Sequence, residues 1–170
     1  MSTGAATLAP WRWIGVPMLQ CLALTVLLAI PLRVFGLQLP EPIWAVWPVF
    51  AWAMIRPSIL APFAVLATGL FLDIFWGCPM GFWALSLLVA YGVVLGARSM
   101  MIGQGTPMMW AWFATVTAIA MATAAFVALL ATRSTPSLPT LLWQFLATII
   151  LYPLAHRLIE RFEDADVRFR

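Results

Sequence analysis

The stretch Gly69-Leu-Phe-Leu-Asp73-Ile-Phe-Trp-Gly77-Cys-Pro79-Met-Gly81-Phe-Trp-Ala-Leu85 decides how this chain folds. Its first half is apolar apart from Asp73, its middle is broken by Gly77, Pro79 and Gly81, and its second half is apolar again. Glycine and proline at this density end one helix and begin another. The spacing therefore predicts a helix over 59–76, a tight turn at Gly77–Gly81 and a second helix over 82–97. Gly69, Asp73, Gly77 and Gly81 recur every four residues and would share a face on one continuous helix. Pro79 interrupts that continuity, so the Gly77/Gly81 pair reads as a turn. Gly69 leaves room for a neighbouring helix to approach closely.

Outward from this stretch the same alternation repeats. Apolar runs over 14–32, 37–55, 59–76, 82–97, 108–131 and 138–155 are separated by short segments rich in Pro, Gly or Arg. Each run is near the roughly 20 residues a helix needs to cross about 30 Å of hydrocarbon. The expected fold is all-α and polytopic: one transmembrane domain over 1–155 made of a six-helix bundle, then a charged tail over 156–170. The second run is the exception in quality, because Pro40, Glu41, Pro42 and Pro48 leave only Ile43–Ile55 as clean apolar sequence.

Composition agrees. The 170 residues are 64% hydrophobic and 9% charged, with a mean hydropathy of +1.00; a soluble domain is about a quarter charged. There is too little polar surface here to cover a water-soluble globule. All nine basic residues are Arg. The tail sets Arg157, Arg161, Arg168 and Arg170 against Glu160, Glu163, Asp164 and Asp166, so it sums to zero and argues against nucleic acid or a polybasic lipid site. Ile14–Leu32 is longer than a usual signal core and no clean cleavage site precedes Arg33, so it reads as a retained span.

Arginine placement sets orientation. With six spans and a cytoplasmic N-terminus, Arg12, Arg56, Arg98 and the four tail arginines lie inside, and Arg33 and Arg133 outside. If the 37–55 run only dips into the membrane, five spans and an outside N-terminus give the same seven against two. Both arrangements place the C-terminus inside and the Gly77–Gly81 turn outside.

Asp73 is the one acidic residue within a clear span. An intramembrane charge is expensive and calls for a partner. Two readings stand: a structural anchor, ion-paired to Arg33 or Arg133 or fixed at a turn, and a proton relay or ligand contact. The first is favoured, since nothing else ionisable shares that helix. Gly92 and Gly96 form a GxxxG pair, and Ala111, Ala114, Ala118, Ala122 and Ala125 form a small-residue stripe; both are expected to pack helices within the bundle. Tyr91, Thr115, Thr117, Gln144, Thr148 and Tyr152 are candidates for interhelical hydrogen bonds. Trp11, Trp13, Trp76, Trp83 and Trp110 fit interfacial aromatic belts. Cys21 and Cys78 carry no metal-ligand spacing, and His156 stands alone at the start of the tail. A nucleophile elbow, a zinc-protease helix, a P-loop and paired carboxylates are all missing. The expectation is no catalytic residues, no metal and no cofactor.

The Gly69–Leu85 stretch, followed by Val89-Ala-Tyr91, resembles the central motif of the rod shape-determining protein MreD family. The Pro42–Pro57 segment and the ending Tyr152-Pro153-Leu-Ala-His-Arg157 through Phe162 are similar to that family as well. The resemblance implies six spans with both ends cytoplasmic, in the bacterial inner membrane, and a fold like the substrate-binding subunits of energy-coupling-factor transporters. It implies a non-catalytic scaffold of the elongasome, the machinery of rod shape and peptidoglycan synthesis. MreC would be the direct partner, with MreB, RodA and a class B penicillin-binding protein linked through the same assembly. The motif Gly69, Asp73, Gly77, Pro79 and Gly81 would then hold the outer end of the third helix where a partner docks. Two other classes share the hydropathy plan: a vitamin-uptake subunit, and an intramembrane enzyme acting on lipid.

Overall fold

The computed structural model describes residues 14–29, 33–34, 37–38, 41–55, 58–132 and 137–167. Among these, the elements are α1 (Val16–Leu28), β1 (Arg33–Val34), β2 (Leu37–Gln38), α2 (Val46–Ile55), α3 (Leu60–Trp76), α4 (Phe82–Met101), α5 (Thr106–Thr132), α6 (Leu138–Ile149) and α7 (Tyr152–Val167). Three helical runs are long and apolar enough to cross a membrane: Phe82–Met101, Thr106–Ala131 and the α6–α7 run Leu138–Glu160. The protein is helical and of membrane type.

The expected helix over 37–55 is replaced by something more economical. β1 and β2 pair antiparallel, Arg33 opposite Gln38 and Val34 opposite Leu37. From Glu41 to Ile43 the chain is in no regular element, and it turns at Trp44–Ala45 into the ten-residue helix α2. Pro40 and Pro42 account for the difference: a residue before proline is pushed out of helical conformation, and proline has no N–H to give a helix. Pro48 is tolerated because it sits in the first turn of α2, where N–H groups lack intrahelical partners anyway.

At ten residues α2 spans about 15 Å, and its nine residues from Val46 to Met54 are all buried. It sits against α1, α3, α4, α5 and α7. A helix apolar on every side needs neighbours on every side, and α2 is the axis around which the others stand. Phe50 meets Phe113 of α5 edge to face, ring centroids 5.3 Å apart, and Phe113 in turn packs on Tyr152 of α7.

The predicted last span, 138–155, is two helices. Pro153 cannot donate to the carbonyl of Ile149 four residues earlier, and the chain breaks at Ile150–Leu151. The freed Ile149 carbonyl accepts instead from the indole Nε1 of Trp110 on α5, at 3.2 Å. Beyond the break, α7 continues to Val167, so the tail begins as helix and has no boundary at residue 155.

α3 and α4 form an antiparallel pair at the turn that opened the sequence reading. Gly69 lies against Ala84: a Cβ there would stand 2.3 Å from the Ala84 Cα. The helices cross in backbone contact, which only glycine permits.

The Asp73 turn as candidate functional site

Asp73 is 1% exposed, four residues before the left-handed Gly77 (φ +62°) that ends α3. Its main chain closes that helix. The Asp73 carbonyl accepts the Cys78 N–H at 2.9 Å while Gly77 N–H bonds to Ile74 O at 3.3 Å, the paired bonds of a Schellman motif. Its side chain opens the next helix. Oδ2 accepts the Gly81 N–H at 2.8 Å and Oδ1 accepts the Trp83 N–H at 2.6 Å. One residue thus terminates α3 and caps α4.

The electrostatics explain how a buried carboxylate is accommodated. Both oxygens take charge-assisted bonds from amides at the start of a helix, where the aligned peptide dipoles present positive potential. Gly81 adopts φ +93° to enter α4, which a side-chain-bearing residue rarely does. The Pro79 carbonyl accepts from Phe82 N–H at 3.1 Å. All five residues of the motif therefore have a defined place: Gly69 in the crossing, Asp73 in both caps, Gly77 and Gly81 in left-handed conformation, and Pro79 in the turn.

The partners found for Asp73 are amides. Of the two arginines expected to pair with it, Arg133 lies outside the described residues, as do Arg12, Arg56, Arg168 and Arg170, and Arg33 is described only as backbone in β1. At the tip of the turn, Ile74, Trp76 and Met80 are exposed, Met80 by 76%. The Cys78 thiol there is pushed above its ordinary value, first by burial and then by the Asp73 carboxylate, with the Trp83 contact acting the other way.

The small-residue faces are placed differently from expectation. Gly92 and Gly96 point away from the bundle, and nothing lies within 4 Å of a Cβ built on either. On α5, Ala111, Ala118 and Ala122 are exposed and Ala114 and Ala125 half-buried, while Phe113, Val116, Thr117, Ala120 and Ala124 face the core. The inward face of α5 is set one to two positions off the predicted alanine stripe, and its small members there are Ala120 and Ala124.

Most hydroxyls also stay at home. Thr115 and Thr117 donate to the carbonyls of Ala111 and Phe113 in their own helix. Two residues of α6 tie it to the segment that leads into α2. Thr148 Oγ1 accepts the N–H of Ile43 at 3.0 Å, and Gln144 Nε2 donates to Glu41 O at 3.3 Å. Their spacing of four, on one face of a helix, was the available signal for a shared partner. From α4, Arg98 Nη2 donates to Ile55 O, the end of α2, at 3.3 Å. Sequence reasoning treated Arg98 as a topology marker; its role in closing α2 became visible only once α2 was seen to end beside it. His156 bonds Glu160 at 3.1 Å and stacks on Tyr152. Among the described residues, no group of three His, Cys, Asp or Glu is placed to hold a metal ion.

These features define a class, the helical membrane protein, here with the buried Asp73 carboxylate spent on a helix turn. No protein-family model matches the chain, no curated protein matches it, and no solved structure matches it.

Proposed function

We propose that this chain is a non-catalytic membrane scaffold of the MreD type, serving bacterial cell elongation and binding an MreC-like partner. The observation that carries the reading is the Asp73 turn. Its carboxylate is occupied by two backbone amides, so the residue that a relay or an enzyme would use holds a rigid hairpin instead. What the hairpin offers outward is apolar: Ile74, Trp76 and Met80. A fixed apolar tip suits docking of a protein partner better than chemistry.

In this reading the protein lies in the bacterial inner membrane, crosses it six times and keeps both ends in the cytoplasm. The second crossing would run through residues 41–55, whose helical part is the ten-residue α2. MreB, RodA and a class B penicillin-binding protein would be reached through the same complex. Affinity purification in mild detergent tests the proposal. An MreC-type protein should co-purify, and depletion should round the cells; rods of normal width after depletion, with no such partner recovered, would remove the basis for it.

One observation favours the small-molecule uptake reading. The indole N–H groups of Trp44 and Trp47 and the hydroxyl of Tyr152 are buried without a hydrogen-bond partner, as donors waiting for a ligand's acceptors would be. A vitamin co-purifying in stoichiometric amount would move the assignment to that class.

A further inference from the structure

Helix α6 is held in an unusual way. Of its twelve residues only Thr148 is buried, and its outward face carries exposed Leu138, Leu142, Trp143 and Leu146. Leu141 and Phe145 rest on the edge of the core. The polar ties to the segment that leads into α2 are the Thr148 and Gln144 bonds to Ile43 N–H and Glu41 O. At its far end stands the Pro153 break, whose free carbonyl is taken up by Trp110 rather than by the helix itself. In a bilayer no hydrophobic force presses helices together, and interhelical hydrogen bonds are individually weak. α6 is thus tied by Thr148 and Gln144 on one side and by Trp110 at its proline end, and the break there gives it a place to pivot.

We propose that α6 is a hinged gate over the Glu41–Ala45 segment, pivoting at Ile150–Leu151 and latched by Thr148 and Gln144. In the closed form the latch satisfies backbone that is not in a helix, the condition for keeping such backbone at membrane depth. On opening, the Leu138 end moves outward about the pivot, and the Ile43 N–H and Glu41 carbonyl must be met by water entering from that end. The inference is independent of the scaffold assignment.

Spin labels at Leu142→Cys on α6 and Leu95→Cys on α4, both exposed positions, report the gate in the full-length protein in lipid nanodiscs, with Cys21→Ala and Cys78→Ser as background. Thr148→Val should add a longer-distance population, Thr148→Ser should keep the parent distribution, and Pro153→Ala added to Thr148→Val should suppress the new population. Distances in Thr148→Val that superimpose on the parent would overturn the proposal. Should that variant fail to fold, amide exchange of the unaltered protein decides: residues 141–147 should exchange about tenfold faster than residues 113–124 of α5. Equal protection of the two would equally overturn it.

Discussion

The Asp73 carboxylate and the amide of Trp83 lie 2.6 Å apart although ten residues separate them, and through that bond the end of α3 fixes the start of α4. Asp73→Asn keeps one acceptor and turns the other position into a donor facing an N–H. The variant should lose about 1–3 kcal/mol of stability, read as a lowered thermal midpoint in detergent, and Asp73→Ala should lose at least as much. Unchanged midpoints would mean that the turn holds without its cap.

Gly69 and Gly92 look equivalent in sequence and are opposite in space. Gly69→Ala would drive a methyl into the Ala84 backbone and should destabilise by about 1–3 kcal/mol. Gly92→Ala meets nothing within 4 Å and, inside a helix, should leave stability level or raise it by up to about 1 kcal/mol. If Gly92→Ala nevertheless weakens recovery of a partner while leaving stability alone, the outward face of α4 is where that partner sits.

Trp110→Phe keeps the ring on Tyr152 and removes the donor to the Ile149 carbonyl. It should cost about 0.5–1.5 kcal/mol. Pro153→Ala returns an N–H to that carbonyl, so the two substitutions should be non-additive in a double-mutant cycle. Strict additivity would show that the indole bond and the proline break are unrelated.

Cys78 tests the electrostatics of the turn. Because burial and the Asp73 carboxylate both disfavour the thiolate, fewer thiols are ionised at a given pH, and it is the thiolate that reacts. Alkylation of Cys78 at pH 8 should be slower than that of a cysteine placed at the exposed Met80 position in a Cys78→Ser background, and should still be rising with pH when the latter levels off. Asp73→Asn should speed it. Equal rates at the two positions would contradict the assignment.

The helices that were legible in the sequence are those written in uninterrupted apolar residues between strong breakers. α3 and α4 fall where Gly77, Pro79 and Gly81 put them, and α5 extends only slightly beyond its predicted run. For residues 37–55 the prolines marked the weak half and left Ile43–Ile55 as the clean apolar run, but not that this run is enclosed, because hydropathy is blind to whether an apolar residue faces lipid or protein. Trp47 and Trp52 are buried in the middle of the molecule, a placement that follows from packing around α2 and not from any local preference. The same blindness turned Gly92 and Gly96 outward and hid the break before Pro153. For Asp73, spacing pointed to the turn, but the identity of its partners depended on amide directions that only the folded hairpin fixes.

The short central helix has a consequence for how the protein is made. Ten residues cannot hold themselves across a bilayer, and α2 is matched chiefly to helices synthesised later, above all α4 and α7, with only a slight contact to α1. The translocon would release α1 and then a segment with no stable seat until α4 and α7 have emerged. Assembly therefore closes around α2 instead of growing from it, and α7 completes the wall that keeps the second helix in place.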